Sequence, residues 1–118
     1  MNNSNRQSSG TEVLESGDGT PNTVLDLLDE QTLRVGLLKL EYSGDGTTEV
    51  KVEVYDEPDG TVSGDLSDMV DQFHLSPGER AVVDVAHYDY VEDDVVALAD
   101  GGQDSEVAVT VGGSLITG

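Results

Sequence analysis

The stretch TTEVKVEVYDE, residues 47–57, alternates apolar and polar side chains. Valine occupies every second position from 50 to 54, and the alternate positions from 49 to 55 are charged or tyrosine. A period of two is that of a β-strand with one buried face, because successive side chains of a strand point to opposite sides. The inward side chains are predicted to be Val50, Val52 and Val54, and the outward ones Glu49, Lys51, Glu53 and Tyr55.

The run before it, TLRVGLLKLEYS over residues 32–43, predicts a strand that is partly apolar on both faces. Strict alternation puts one set of side chains, Leu33, Val35 and Leu37, on one face, and another set, Arg34, Leu38, Leu40 and Tyr42, on the other. A strand of this kind fits the middle of a sheet. Residues 24–31 can form either a strand with a tight turn or a short helix capped by Thr23, and we favour the strand.

The sequence SGDGT joins these two runs at residues 43–47 and occurs again at 16–20. Asp-Gly between alternating runs is typical of a hairpin turn, whereas a calcium loop needs several converging carboxylates and each copy holds one. We therefore expect a hairpin at 43–47. The first copy lies in a polar stretch that has too little apolar content to fold alone. Residues 1–22 are predicted to be an extended arm, and residues 23–118 the folded domain.

The remaining residues predict short strands separated by turns. RAVVDVA, DDVVALAD and SEVAVTVGG are strand-like, and SPGE at 76–79 is typical of a turn with proline at its second position. GDLSDMVDQF has apolar residues at helical spacing behind Asp65, which allows one short helix. Seven or eight strands predict an all-β fold, a small antiparallel β-sandwich or jelly roll.

Acidic residues dominate the charge of the 118-residue chain, with 25 Asp and Glu against 5 Lys and Arg and a formal net charge of −20. Such self-repulsion destabilises a compact chain in dilute buffer, but at molar salt the Debye length falls to about 3 Å. The acidic residues alternate with valine and leucine, which places them on solvated strand faces and predicts a halophilic protein. The cations are too few to neutralise a nucleic-acid backbone, so no nucleic-acid partner is expected.

No cysteine is present, so neither disulfides nor thiolate metal sites supplement the core. The first ten residues lack the apolar segment of a signal peptide, and no apolar run approaches the roughly 20 residues that a membrane span needs. We expect a protein made in a high-salt cytoplasm, not exported by a signal peptide and without a membrane partner.

Residues with catalytic spacing are not found, so the chain is predicted not to be an enzyme and to bind no cofactor. The best metal candidates lie in HYDYVEDD, residues 87–94, where His87 and Asp89 share a strand face and Asp93 follows. The same residues are also explained as a solvent-exposed acidic loop, because acidic residues are frequent throughout this chain. We therefore expect no metal, with these three residues as the candidates if one binds.

Two pairs of side chains are candidate partner contacts. Tyr88 and Tyr90 share the strand face opposite His87, and tyrosine is enriched at interfaces, although covering one end of the core would explain them equally well. Val13 and Leu14 are the apolar anchor of the arm, suited to docking on a neighbouring subunit. The predicted core is small, so we expect oligomerisation to stabilise it.

Four runs occur in an informative order: TLRVGLLKLEY, TEVKVEVYDEPDGT, LSPGERAVVD and VEDDVVALADGGQDSEVAVTVGG. From Val24 onward the chain resembles the small β-sandwich accessory proteins of haloarchaeal tailed viruses. The resemblance implies a hairpin, a valine-rich strand, a Pro-Gly-Glu turn and a closing hairpin. It also implies a virion protein that decorates the capsid or forms a turret, in contact with its own copies and a major capsid or tail protein. The polar arm before Val24 departs from this pattern.

Three functions remain open at this point. A virion structural protein, placed on the capsid or as a tail or baseplate accessory, predicts an ordered arm and symmetric copies. A haloarchaeal binding or cell-surface module predicts a pocket or an exposed apolar groove, and an enzyme predicts titratable groups clustered in a cleft. Because the residues lack what an enzyme needs, we expect the virion protein, acting as a homo-oligomer.

Overall fold

The computed structural model describes residues 6–15, 19–28, 30–58, 62, 66–84, 90–101 and 104–117, most of which lie in strands. The strands are β1 Arg6–Glu15, β2 Asn22–Leu25, β3 Gln31–Gly44, β4 Val50–Glu57, β5 Met69–Leu75, β6 Arg80–Asp84, β7 Tyr90–Val91, β8 Asp94–Gly101 and β9 Ser105–Thr117. One 3-10 turn, Leu66–Asp68, precedes β5. Among these residues no helix has the length and apolar character to cross a bilayer. The all-β prediction is confirmed.

Four nested antiparallel pairs define the topology: β1 with β9, β2 with β8, β3 with β6, and β4 with β5. Sheet A has the order β1-β9-β3-β6, with β7 also beside β3, and sheet B has the order β2-β8-β4-β5. A long hairpin that wraps around itself in this way is a jelly roll. The prediction of a small antiparallel sandwich is therefore confirmed, in its jelly-roll form.

Two predicted hairpins are crossovers between the sheets instead. SGDGT at 43–47 joins β3 of sheet A to β4 of sheet B, and residues 101–104 join β8 of sheet B to β9 of sheet A. Gly44 and Asp104 adopt φ of 83° and 63° at these corners. Turn chemistry bends the chain but does not decide whether the joined strands pair with each other. The predicted turn at 76–79 is present, with Glu79 N–H donating to Ser76 O at 2.9 Å.

The predicted short helix behind Asp65 reduces to the single 3-10 turn. Met69, Val70 and Phe73, which have helical spacing in the sequence, belong to β5. Backbone pairing of β5 with β4 satisfies the hydrogen bonds of this segment, with Phe73 opposite Val52. Tertiary pairing has overridden a local helical pattern here.

Valine and leucine from both sheets fill the core between them. Val50, Val52 and Val54 are fully buried, as alternation predicts, and Val107, Val109 and Val111 of β9 face them from the other sheet. Burial of each such side chain contributes about 1.5–3 kcal/mol. Tyr55, expected to point to solvent, lies outside this core yet is only 3% exposed.

A β-bulge at Gly36 interrupts the alternation of β3. The register with β9 shifts between Val35 and Leu37, so one extra residue enters the strand. Leu33 and Val35 before the bulge and Leu38, Leu40 and Tyr42 after it are all buried in the core. Strict alternation was therefore wrong about which residues share a face, because the bulge turns Leu37 away from the core side. The central position of β3, between β9 and β6, is confirmed.

β1 lies inside the segment 1–22 that composition predicts to be an arm. It pairs with β9 over ten residues, and Leu14 is buried in the core with 2% exposure. A Cβ added to Gly10 would overlap the carbonyl oxygen of Val24, so β1 also packs tightly on β2. Residues 6–15 form a strand because β9 supplies backbone partners that composition does not reveal. The arm boundary at residue 22 stays a prediction about behaviour in solution.

Candidate interaction surface

The outer face of sheet A presents its side chains in cross-strand rows. The rows are Gln7–Ser114–Arg34–Tyr90, Ser9–Gly112–Leu37 with Asp84 of β6 in register, Thr11–Thr110–Lys39–Val82 and Val13–Ala108–Glu41–Arg80. The hydroxyls of Thr11 and Thr110 lie 2.9 Å apart, and Gln7 Nε2 donates to Ser114 Oγ at 3.3 Å. These contacts show that neighbouring strands project these side chains to the same side.

The charge of this face differs from that of the chain as a whole. Three of the five basic residues, Arg34, Lys39 and Arg80, lie in these rows. Two acidic residues belong to these rows: Glu41, whose Oε2 lies 3.4 Å from Arg80 Nε, and Asp84, which is in register with Leu37. Carboxylates return in the next row, with Glu15 opposite Glu106. Another acidic macromolecule therefore meets less repulsion here than the net charge of −20 suggests.

Apolar side chains are exposed on the same face. The structure shows four large apolar side chains as exposed, and three of them are Val13 at 44%, Val82 at 59% and Tyr90 at 52%. The fourth, Leu28, lies in the turn between β2 and β3. Apolar side chains that share one weakly charged face are typical of protein interfaces.

A depression of about 470 Å³ lies in the middle of this face. Its lining consists of Gln7, Ser8, Ser9, Gly36, Leu37, Gly112 and Gly113. A Cβ at Gly113 would overlap the carbonyl oxygen of Arg34, so the close approach of β9 to β3 requires glycine there. The row of Arg34 borders the depression on one side and the row of Lys39 borders it on the other.

The predicted contact residues are divided by the structure. Val13 and Tyr90 lie on the outer face of sheet A, whereas Leu14 points into the core, so it could contact a partner only if β1 left its sheet. Tyr88 lies outside the described residues. Whether any of the four contacts a partner stays a prediction.

The sequence argument missed Arg34, Lys39 and Val82 as members of one surface. The bulge at Gly36 hides the relation of Arg34 to Lys39, and only the register of β6 with β3 brings Val82 beside Lys39. The sequence did contain one indication of a basic surface, because two of the five basic residues fall within a single predicted strand.

The acidic residues around the β7–β8 turn stabilise that turn. The Asp56 carboxylate accepts hydrogen bonds from the backbone N–H groups of Glu92 at 3.1 Å and Asp93 at 2.9 Å, and Asp94 Oδ1 accepts one from Leu27 N–H at 2.9 Å. Of the predicted metal candidates, His87 and Asp89 lie outside the described residues. Within the described part of the chain, no group of three or more His, Asp or Glu is placed to hold a metal ion.

Two groups have shifted pKa values. Partial burial, followed by repulsion from Asp56 and other nearby carboxylates, raises the pKa of Asp93 above that of an ordinary aspartate. Burial is also the main cause that raises the pKa of Tyr55, with Glu53 adding to it. The raised pKa of Asp93 therefore reflects its loss of water first and the neighbouring negative charges second.

Comparison with known proteins gives matches of shape only. No protein-family model matches the chain, and no curated protein matches its sequence. The acid-stable capsid of Helicobacter pylori bacteriophage KHP30 matches with a TM-score of 0.54 and 14% identity, covering 93% of this chain and 87% of that chain. PirA matches with a TM-score of 0.53 and 8% identity, covering 86% and 90%. At sequence identities this low, the structural similarity shows a shared fold alone.

The IBDV viral particle provides a third match, with a TM-score of 0.52 and 15% identity. The match covers 98% of this chain but 32% of that chain. The whole of the present fold therefore corresponds to one part of a larger viral protein.

Proposed function

We propose that this chain is a structural protein of a halophilic tailed-virus particle, which decorates the capsid or forms a turret and acts through contacts between subunits. The observation that carries the proposal is the outer face of sheet A. This face combines three exposed apolar side chains with three of the five cations of a chain whose net charge is −20.

The argument from charge is physical. Burying an unpaired carboxylate in an interface is costly, so copies of an acidic protein associate most easily where carboxylates are few. Four strands about 4.8 Å apart and four rows about 7 Å apart give this face an area of about 500 Å². A standard interface buries about 800 Å² per partner, so one such contact is weak. Many repeated contacts, as in a shell, would make it stable.

The fold supports the same function by analogy. Jelly rolls build many viral capsids, and a bacteriophage capsid is among the solved structures that share this fold. Fold alone does not determine function, so the surface carries more weight than the likeness. A non-enzymatic role is supported by the acidic residues described around the β7–β8 turn. The carboxylates of Asp56 and Asp94 accept hydrogen bonds from backbone N–H groups there, which is a structural role.

Native mass spectrometry and sedimentation in molar KCl test the proposal. The unmodified chain should form oligomers, and Val82→Asp or Tyr90→Asp should shift them toward monomer while keeping a cooperative melt, with Tm lowered only by the loss of association. Thr47→Asp adds the same charge at an exposed site away from this face and serves as the control. A tagged chain should also co-purify with halophilic virus particles. A monomeric unmodified chain, or face variants that assemble as the control does, would contradict the proposal.

A further inference from the structure

Leu28 is the most exposed of the large apolar side chains described, at 71%. The turn that carries it is held by hydrogen bonds. Leu28 N–H donates to Gln31 Oε1 at 2.8 Å, and Gln31 N–H donates to Leu28 O at 3.1 Å. Glu30 adopts φ of 66° within this turn. Just before the turn, Leu27 N–H donates to Asp94 Oδ1. The protein therefore holds an exposed leucine on a turn that hydrogen bonds fix on both sides.

Acidic side chains surround this leucine. Asp26 and Glu30 are exposed on either side of it in the chain, and Glu92 and Asp93 line the adjoining depression of about 370 Å³. The turn thus presents an apolar tip with a negative rim. Such a tip is repelled by the acidic surfaces of other copies and attracted to a surface that offers cations around an apolar recess.

We propose that the Leu28 turn of one copy docks on the outer face of sheet A of a second copy. Leu28 enters the depression between Ser9 and Leu37, and the acidic rim lies beside Arg34 and Lys39. The inference rests on the proposed function, because both require copies to associate. It goes further by naming the two surfaces that meet.

The two surfaces cannot meet within one molecule. Gln31 at the base of the turn and Leu37 at the depression both belong to β3, six residues apart, which is about 20 Å along a strand. The turn of one copy must therefore reach the face of another. Because the turn and the face are different surfaces, two copies can exchange turns in a two-fold dimer, or the contact can repeat from copy to copy in a ring or a chain.

Complementary variants provide the test. Leu28→Asp removes the apolar tip and leaves the outer face of sheet A intact. The double variant Arg34→Glu with Lys39→Glu reverses the charge of the face and leaves the turn intact. In molar KCl Leu28→Asp should associate about tenfold to a hundredfold more weakly than the unmodified chain, the range expected for the burial of one leucine. The double variant should also associate more weakly, because the contact would bury new carboxylates without a cation beside them, a desolvation cost that salt does not screen.

Mixing the two variants should restore association, because the intact turn of the double variant can dock on the intact face of the Leu28→Asp variant. Assembly should not grow beyond a heterodimer, because the other turn and the other face are both altered. Native mass spectrometry of differently tagged chains measures this directly, and thermal melts confirm that each variant is folded. If Leu28→Asp assembles as the unmodified chain does, or if the mixture stays monomeric, the inference is wrong. Should Val82→Asp still block assembly in that case, the proposed function stands without the Leu28 contact.

Discussion

Gly10→Ala tests whether β1 is part of the jelly roll or a separable arm. A Cβ at this position would overlap the carbonyl oxygen of Val24 and approach Leu25 Cβ to 3.2 Å. Val24 lies at a β-bulge between Thr23 and Leu25, which both pair with β8, so its backbone cannot rotate away as a side chain could. Either β2 shifts, or β1 lifts and exposes Leu14, which is now 2% exposed.

Either response should cost about 2 kcal/mol, from overpacking of roughly 1–3 kcal/mol or from the exposure of a leucine. For a domain of this size each kcal/mol lowers Tm by about 4 °C, so we expect Gly10→Ala to melt about 8 °C below the unmodified chain. Thermal melts followed by circular dichroism in molar KCl measure the difference.

Gly36→Ala is the matched control, because a Cβ there would meet one atom, Gly112 O, at 4.0 Å. It should remain within about 0.5 kcal/mol of the unmodified chain. If Gly10→Ala melts together with this control at the unmodified temperature, then β1 is not seated on β2. Residues 1–22 would in that case be an arm, as their composition predicts.

Three further predictions concern stability. Val52→Asp places a carboxylate at a fully buried site and should cost roughly 4 kcal/mol, whereas Lys51→Asp on the other side of β4 should cost at most about 1 kcal/mol; equal melts would contradict the register of this strand. Lowering KCl from molar to about 0.1 M lengthens the Debye length to about 10 Å and should unfold the chain or lower its Tm; an unchanged melt would refute the halophilic argument. The pKa of Asp93 is raised in the folded state, so the folded chain binds this proton first and stability rises as pH falls through the folded-state pKa. Asp93→Asn should therefore stabilise the protein at neutral pH, and its advantage should shrink in melts at acidic pH; a constant difference would show that the shift is absent.

Local patterns predicted the strands well because each depends on a few neighbouring residues. The alternation of Val50, Val52 and Val54 and the turn at 76–79 needed nothing beyond their own segments. The sandwich followed from the number of strands and turns. These features fix which segments are strands and leave open which strands pair.

Pairing could not be predicted, because it depends on contacts between distant residues. Arg6 pairs with Leu115, and nothing in the sequence around either residue predicts that the two are partners. The bulge at Gly36 shifts the alternation of β3 by one residue. As a result Leu37 lies on the outer face, and Arg34 and Lys39 lie on one face although alternation places them on opposite faces. The candidate surface is a product of register, so the sequence showed its residues but not that they share a face.

The nested pairing of the strands also has a consequence for how the chain folds. β4 and β5 pair across a short separation, Val50 with Leu75, and each outer pair closes a longer loop, up to Arg6 with Leu115. Long loops close slowly, so we expect folding to start at β4–β5 and proceed outward. β9 lies between β1 and β3, so sheet A cannot close on the ribosome until residues 105–117 have emerged. Until then the strands bordering β9 have unpaired edges, and the charged side chains along them oppose edge-to-edge joining because pairing would strip them of water.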